Sequence, residues 1–309
     1  MMAARGHDRA GAASAAFLWA CTLDVAVAKP GNVSLCAPGH GMTARLFLDS
    51  AAAAAPPLTD TMLAVGARIE RAVSATQAVA RCNTNLGILL LCAPIAAAME
   101  GTPPRDAEAL RQRLETVLAG LTVADAQAAY RAIAQANPAG LGAAPEQDVA
   151  APPTVDLRAA MRLAAMRDSV ARQYANGYAD LFALGLTVLR RHLASHGPWP
   201  ARLQRAVTAV YLAFLARFPD SHIARKHGLA AARNVSYKAR LLHRRLEAGQ
   251  VIPREELARW DRLLKTDGLN PGTTADLTVA SAMIAGCLDP ALCALSAASP
   301  ALATSAVGL

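Results

Sequence analysis

Residues 81–94, RCNTNLGILLLCAP, set two asparagines, a threonine and a glycine directly against an almost unbroken apolar run. The run continues from Leu86 to Met99, which is shorter than the roughly 20 residues a bilayer-spanning helix requires, and Pro94 interrupts it. It reads as a buried core helix. Composition agrees: the chain has 309 residues, 54% hydrophobic and only 4% aromatic, so its core must be assembled from Ala, Leu and Val at close helix spacing. An all-α fold is expected. No Ser/Gly-rich linker or long charge block divides the chain, which predicts one compact multi-helix domain over residues 1–289 and an Ala/Ser-rich tail, 290–309, that is a frayed final helix or disordered.

Outward from that run the pattern predicts helices over 14–28, from after Gly41 to about Ala55 with Pro56-Pro57 as the stop, and from Thr59 or Asp60 to about Arg81. Two amphipathic helices follow at 104–119 and 122–136, the second with a Thr122-x-x-Asp125 capping box. Residues 137–153, rich in proline and glycine, read as a loop. One long helical segment then spans 154–195, kinked at Gly177, before helices at 202–217, 221–249, 254–265 and 273–288. No strand pattern and no repeat is visible.

The N-terminal MMAARGHDRA lacks the cationic lead into an apolar stretch that a signal peptide shows, and Asp24 interrupts the next helix. Six cysteines without CxxC spacing read as reduced thiols of a cytoplasmic protein, and structural zinc is not expected. A net charge of +8 suits an anionic partner, either a nucleic acid, a membrane surface or a polyphosphate. The basic excess lies between Arg225 and Arg262 with only Tyr237 and Trp260 as stacking partners. A solvated helix face is the plain reading, a polyphosphate site the second and nucleic acid the third.

Helix-start loops rich in small polar residues are the places where phosphate can be received, because the first amides of a helix lack partners. In AKPGNVS, residues 28–34, Lys29 adds a cation, Gly31 permits close backbone approach and Asn32 adds a directional donor and acceptor; a helix stop with a solvated lysine is the plain alternative. In PGHGM, residues 38–42, flanking glycines aim His40, a near-neutral acid or base. Asn83 or Thr84 can cap a helix, but one cap does not explain Asn83, Thr84, Asn85 and Gly87 together; the excess suits a ribose or a base edge. Asp168 and Arg172 stand four apart and read as an exposed ion pair. In PDSHIARKHG, residues 219–228, His222, Arg225 and Lys226 follow a capping Asp220 or Ser221, where cations oppose the helix dipole unless an anion sits nearby. In LNPGTTADLTVASA, residues 269–282, Gly272 and Thr273 start a helix whose first turn carries Asp276, a carboxylate able to hold Mg2+.

The order of these motifs resembles the triphosphoribosyl-dephospho-coenzyme A synthases over most of the chain: KPGNVS from Lys29, HGM followed by Phe47 and Ser50, NTNLG from Asn83, the Gly-rich loop with Glu146 and Asp148, PDSHIARKHG and NPGTTADL. The resemblance implies an all-helical, cytoplasmic enzyme that moves the 5-triphosphoribosyl group of ATP to the 2'-hydroxyl of 3'-dephospho-CoA and releases adenine. The family pattern carries a histidine and a basic residue where this chain has Asn85 and Leu86, and an acidic residue in place of Gly41, so the chain resembles a divergent branch. The alternatives are a related nucleotide-dependent transferase acting on another acceptor, in one-carbon carrier cofactor biosynthesis, or an inactive nucleotide-binding helical protein. Under the resemblance His40 or Asp220 is the general base, Asp276 with Glu146 or Asp148 holds Mg2+, and Lys29, Arg225 and Lys226 contact phosphates. Asn83, Thr84 and Asn85 hold ribose or adenine, with Gly31, Asn32, Gly87, His222, Gly272 and Thr273 completing the nucleotide site. The partners implied are ATP and dephospho-CoA or a related acceptor, without membrane or nucleic acid, and an Ala-rich surface suits a homodimer.

Overall fold

The apolar run forms a helix that is buried on nearly every side, from Leu86 to Ala98. The computed structural model describes residues 3–138 and 140–297, and among these places fifteen α-helices, one π-helical turn and no strand. In chain order the helices are α1 (Ala3–Ala26), α2 (Ala44–Leu58), α3 (Val65–Ala80), α4 (Leu86–Ala98), α5 (Ala107–Ala119), α6 (Val123–Ala136), α7 (Leu157–Ala164) and α8 (Ser169–Asn176). After the π turn Leu181–Leu186 come α9 (Thr187–Leu193), α10 (Trp199–Arg217), α11 (Ser221–His227), α12 (Leu229–Glu247), α13 (Arg254–Thr266), α14 (Gly272–Leu288) and α15 (Pro290–Ala297).

Two helices buried on nearly every side, α4 and α14, pack against each other and form the centre. Helices apolar all round have no stable place except a core, so the others wrap them. Helix α14 meets α1, α8, α9, α10, α11, α15 and the π turn. A satellite cluster around Tyr211, Leu215, Val235 and Trp260 joins α10, α12 and α13 beside the main core.

Pro94 lies inside α4 without breaking it. A proline has no N–H for the carbonyl four residues earlier, which here is that of Leu90. The Tyr174 hydroxyl donates to that carbonyl at 2.6 Å, and the Tyr178 hydroxyl donates to the next, of Leu91, at 3.0 Å. Both tyrosines are fully buried, and burial pushes both phenols well above their usual range, so they stay donors.

Several boundaries differ from the sequence expectation. Helix α2 runs through Pro56 and Pro57 to Leu58, because exposed Ala52 and half-buried Ala53, the carbonyls they leave unserved, face the wet side. Residues 60–64 are a turn closed on Asp60, so α3 begins at Val65. Its first turn is held by Asp125 of the α6 capping box, which takes the Gly66 N–H at 2.8 Å while its other oxygen takes the Thr122 N–H at 2.9 Å. The segment 154–195 is not one kinked helix: Asp168 caps α8 afresh, and Gly177 (φ 65°) and Tyr178 (φ 59°) end it. Arg172 pairs with Asp180 at 2.8 Å rather than with Asp168. Gly228, at φ 87°, divides 221–249 into α11 and α12. The start of the tail forms α15 against α1 and α14, and 298–309 lie outside the described residues. No helix among the described residues is long and apolar enough to cross a membrane.

Candidate functional site

The starts of α4, α11 and α14, the Gly-rich loop 137–153 and one face of α6–α8 enclose a cavity of about 320 Å³. At the head of α4 the polar cluster divides its labour. Asn83 accepts the Leu86 N–H at 3.1 Å and so performs the cap, while the Thr84 hydroxyl donates to Ser50 at 2.8 Å. Asn85 accepts from the Thr76 hydroxyl at 3.2 Å, but its Nδ2 has no partner although the residue is only 5% exposed. Across the cavity wall Asn32 donates to Asn270 Oδ1 at 2.6 Å and leaves its own Oδ1 unpaired. A buried amide without a partner costs about 1–3 kcal/mol. Both asparagines line the one cavity, and between them they hold an unpaired donor and an unpaired acceptor.

Gly87, in the first turn of α4, lies under the Asp276 carboxylate: a Cβ there would stand 2.0 Å from Asp276 Oδ2. Burial and the neighbouring carboxylates of Asp24, Asp220 and Asp168 push the Asp276 carboxyl well above its usual range. Asp24 is held by the buried Lys29 ammonium at 3.0 Å. Asp168 accepts the Val170 and Ala171 N–H groups at 2.8 and 3.1 Å and also pairs with Arg225, whose Nε is buried and unpaired. Five carboxylates line the cavity, Asp24, Glu146, Asp148, Asp168 and Asp276, against two guanidiniums, Arg167 and Arg225. The opposite wall is apolar, with Tyr130, Ile133, Val149, Leu157, Met161 and Val170.

Of the residues expected from sequence, Asn32, Asn83, Thr84, Asn85, Gly87, Glu146, Asp148, His222, Arg225, Gly272, Thr273 and Asp276 line this one cavity. Five do not. Lys29 is 1% exposed and bonded to Asp24 and to backbone carbonyls, outside the cavity lining. The Gly31 N–H donates to Asp261 at 2.8 Å, and at φ 87° the residue seats the loop on Pro271. His40 holds the Gly31 carbonyl through Nε2 at 2.8 Å. Asp220 is buried with both oxygens in use, accepting the Ile223 N–H at 3.0 Å and the Thr274 N–H and hydroxyl at 2.8 and 2.7 Å. It joins α11 to α14. Lys226 is exposed to solvent outside the cavity.

Sequence reasoning missed Asp24, Asp168 and the apolar wall. Asp24 carried a signal, being the single charge in the stretch 14–28. Asp168 carried none, since nothing local distinguishes a capping aspartate facing a cavity from an exposed one. No group of three or more metal-ligating side chains stands preassembled among the described residues. Asp148 spends its oxygens on the Ala144 and Ala150 N–H groups, which hold its carboxyl below the usual range and shape the loop, and Glu146 stands at the exposed rim.

A family model described as ATP:dephospho-CoA triphosphoribosyl transferase (CitG) matches residues 10–291. Among solved structures, the "Crystal structure of putative triphosphoribosyl-dephospho-coA synthase from Archaeoglobus fulgidus" aligns with a TM-score of 0.59 at 22% identity, covering 78% of this chain and 99% of that one. At that identity the likeness speaks for the fold. A comparison with curated proteins gives no match.

Proposed function

Because the chain belongs to the ATP:dephospho-CoA triphosphoribosyl transferase family, a family of transferases, we propose that this cavity moves the 5-triphosphoribosyl group of ATP to the 2'-hydroxyl of 3'-dephospho-CoA and releases adenine. The observation that carries the reading is the pair of unpaired buried amide groups, Asn85 Nδ2 and Asn32 Oδ1. Adenine presents a ring nitrogen acceptor beside an exocyclic amino donor, and a side-chain donor and acceptor are what that edge needs. Gly87 keeps the first turn of α4 free of a side chain where the nucleotide would lie.

The charge inventory bears on the metal. A triphosphate entering a cavity with five carboxylates and two guanidiniums needs added positive charge. Asp276 accepts no hydrogen bond in the described structure and is crowded by carboxylates, a donor set suited to a divalent cation that also takes phosphate oxygens. Asp276, with Asp24 beside it, would hold Mg2+, and the ion would supply neutralisation of the triphosphate. Glu146 at the rim suits the entry of that ion rather than its final ligation.

The chain's own residues then do three things. Arg225, oriented by Asp168, faces the phosphates with its unpaired Nε. The two asparagines grip the base as its glycosidic bond lengthens. The apolar wall of α6–α8 excludes water, which would otherwise compete with the acceptor hydroxyl for the anomeric carbon. Chromatography of adenine, with purified protein, ATP and Mg2+, with and without dephospho-CoA, tests the reading: acceptor-dependent release is expected. ATP binding without release would move the acceptor to another class, such as a one-carbon carrier precursor, and failure to bind ATP would end the proposal.

A further inference from the structure

We propose that His222 is the general base that takes the proton from the attacking hydroxyl of the acceptor. The inference rests on the transfer reaction proposed above and adds the group that activates its nucleophile. Among the described residues His222 is the only imidazole lining the cavity, and no protein group holds it by a hydrogen bond. Its ring rests beside Gly272 at the head of α14, where a Cβ would stand 3.7 Å from His222 Cγ.

Most other proton acceptors nearby are engaged, and Glu146 stands exposed at the rim of the cavity. His40 is outside the cavity on a backbone carbonyl, and Asp220 has both oxygens bonded. Asp24 is paired with Lys29, Asp168 with Arg225 and two amides, and Asp148 with two amides. Asp276, its carboxyl raised by burial and by Asp24, Asp220 and Asp168, is the group assigned above to the cation. A general base needs a free lone pair within reach of the substrate, and His222 has it.

Electrostatics add a second property. Burial, together with Arg225, Lys226 and His227 on its own helix and His40 from the 28–43 segment, lowers the His222 imidazole to about 4. The cavity carboxylates Asp24 and Asp168 are paired, the first with Lys29 and the second with Arg225, so Asp168 offsets part of the Arg225 charge and Lys226 adds to what remains. The free enzyme therefore keeps His222 neutral, with its lone pair available but weakly basic. A bound triphosphate cancels the field of Arg225 and raises the basicity of the imidazole toward working pH, so the nucleotide arms the base.

The step balances. The acceptor O–H proton passes to the imidazole as the oxygen bonds to the anomeric carbon. The bond from that carbon to adenine breaks with its electron pair leaving on the base, and the imidazolium proton is then returned, directly or through solvent, to adenine. Charge and atoms are conserved, and no further reactant is required.

The test uses the full-length protein with Mg2+, ATP and dephospho-CoA. His222→Gln is expected to lower kcat at least about 100-fold, the usual worth of a general base, with ATP affinity within threefold of wild type. Wild-type activity retained within threefold, or a loss explained by ATP affinity alone, would overturn the inference. Histidine-labelled protein, with H222Q for assignment, gives a second reading by NMR: the His222 titration is expected to move up by at least one pH unit when Mg·ATP is added, and no movement overturns the arming step. Should H222Q not fold, the wild-type pH profile decides. A single-proton fall of kcat on the acid side, at higher pH than the fall in kcat/KM, is expected; a flat kcat between pH 4.5 and 8 overturns it. A wild-type protein that releases no adenine at all defeats the proposed function, whereas an active wild type with an equally active H222Q defeats only this inference.

Discussion

At the scale of the residue, Asn85 and Gly87 stand two positions apart and test different parts of the site. Asn85→Ala removes a donor that has no protein partner, so the fold loses only the weak bond from Thr76 while the nucleotide loses a direct contact. ATP affinity is expected to drop about tenfold, the worth of one hydrogen bond of roughly 1–1.5 kcal/mol; unchanged affinity by calorimetry with the melting temperature preserved would remove Asn85 from the site. Gly87→Ala sets two effects against each other. Alanine favours a helix over glycine by about 1 kcal/mol, yet the new methyl would stand 2.0 Å from Asp276 Oδ2 and force that carboxylate aside. A folded protein whose adenine release falls at least about 100-fold is expected, and full activity would show that Asp276 does not need its position over the first turn of α4.

At the scale of the element, α4 survives a proline because another helix supplies the missing donor. Tyr174→Phe leaves the Leu90 carbonyl buried and unpaired and is expected to destabilise the protein by about 1–3 kcal/mol in denaturant melts. The double variant decides the cause. Pro94→Ala restores an N–H four residues after Leu90, so the cost of Y174F should shrink in that background, and equal costs with and without Pro94 would refute the compensation. The same logic of close fit governs α3 and α6. A Cβ on Gly66 would meet the Asp125 backbone at 2.5 Å, so G66A must separate two helices that share a capping aspartate. A loss of about 1–3 kcal/mol is expected in denaturant melts.

At the scale of the whole molecule, the response to acid depends on histidines far apart in the chain that meet in the fold. His192 on α9 and His243 on α12 both face Glu247 Oε1, at 3.8 and 3.7 Å, and burial lowers both imidazoles below 6.5 despite that carboxylate. Below about pH 6.5 the unfolded chain takes up protons that the folded chain refuses, so this contribution to stability is complete above that pH and is lost as the pH falls. The melting temperature of His192→Gln/His243→Gln is expected to fall less between pH 7.5 and 5 than that of the wild type. An unchanged difference would show that these histidines do not link folding to pH.

Much of this was legible in the residues alone. The helical class, the central place of α4 and the capping box at Thr122 follow from composition, apolar run length and short-range spacing, which are local properties that tertiary contacts reinforce. The cluster Asn83–Gly87 announced itself by exceeding what a cap requires. What the chain could not reveal is which polar groups already have partners. Lys29, His40 and Asp220 look available in one dimension, yet each is satisfied by a neighbour in the fold, and Asp24 and Asp168 become cavity residues only because distant helices meet around them. The amino-acid sequence by itself determined the helices, their buried faces and the chemical types at their starts, because these depend on residues a few positions apart. Only the tertiary structure decided which side chains remain free for a ligand, because hydrogen bonds and ion pairs between groups remote in the chain are spent or spared only when the helices pack.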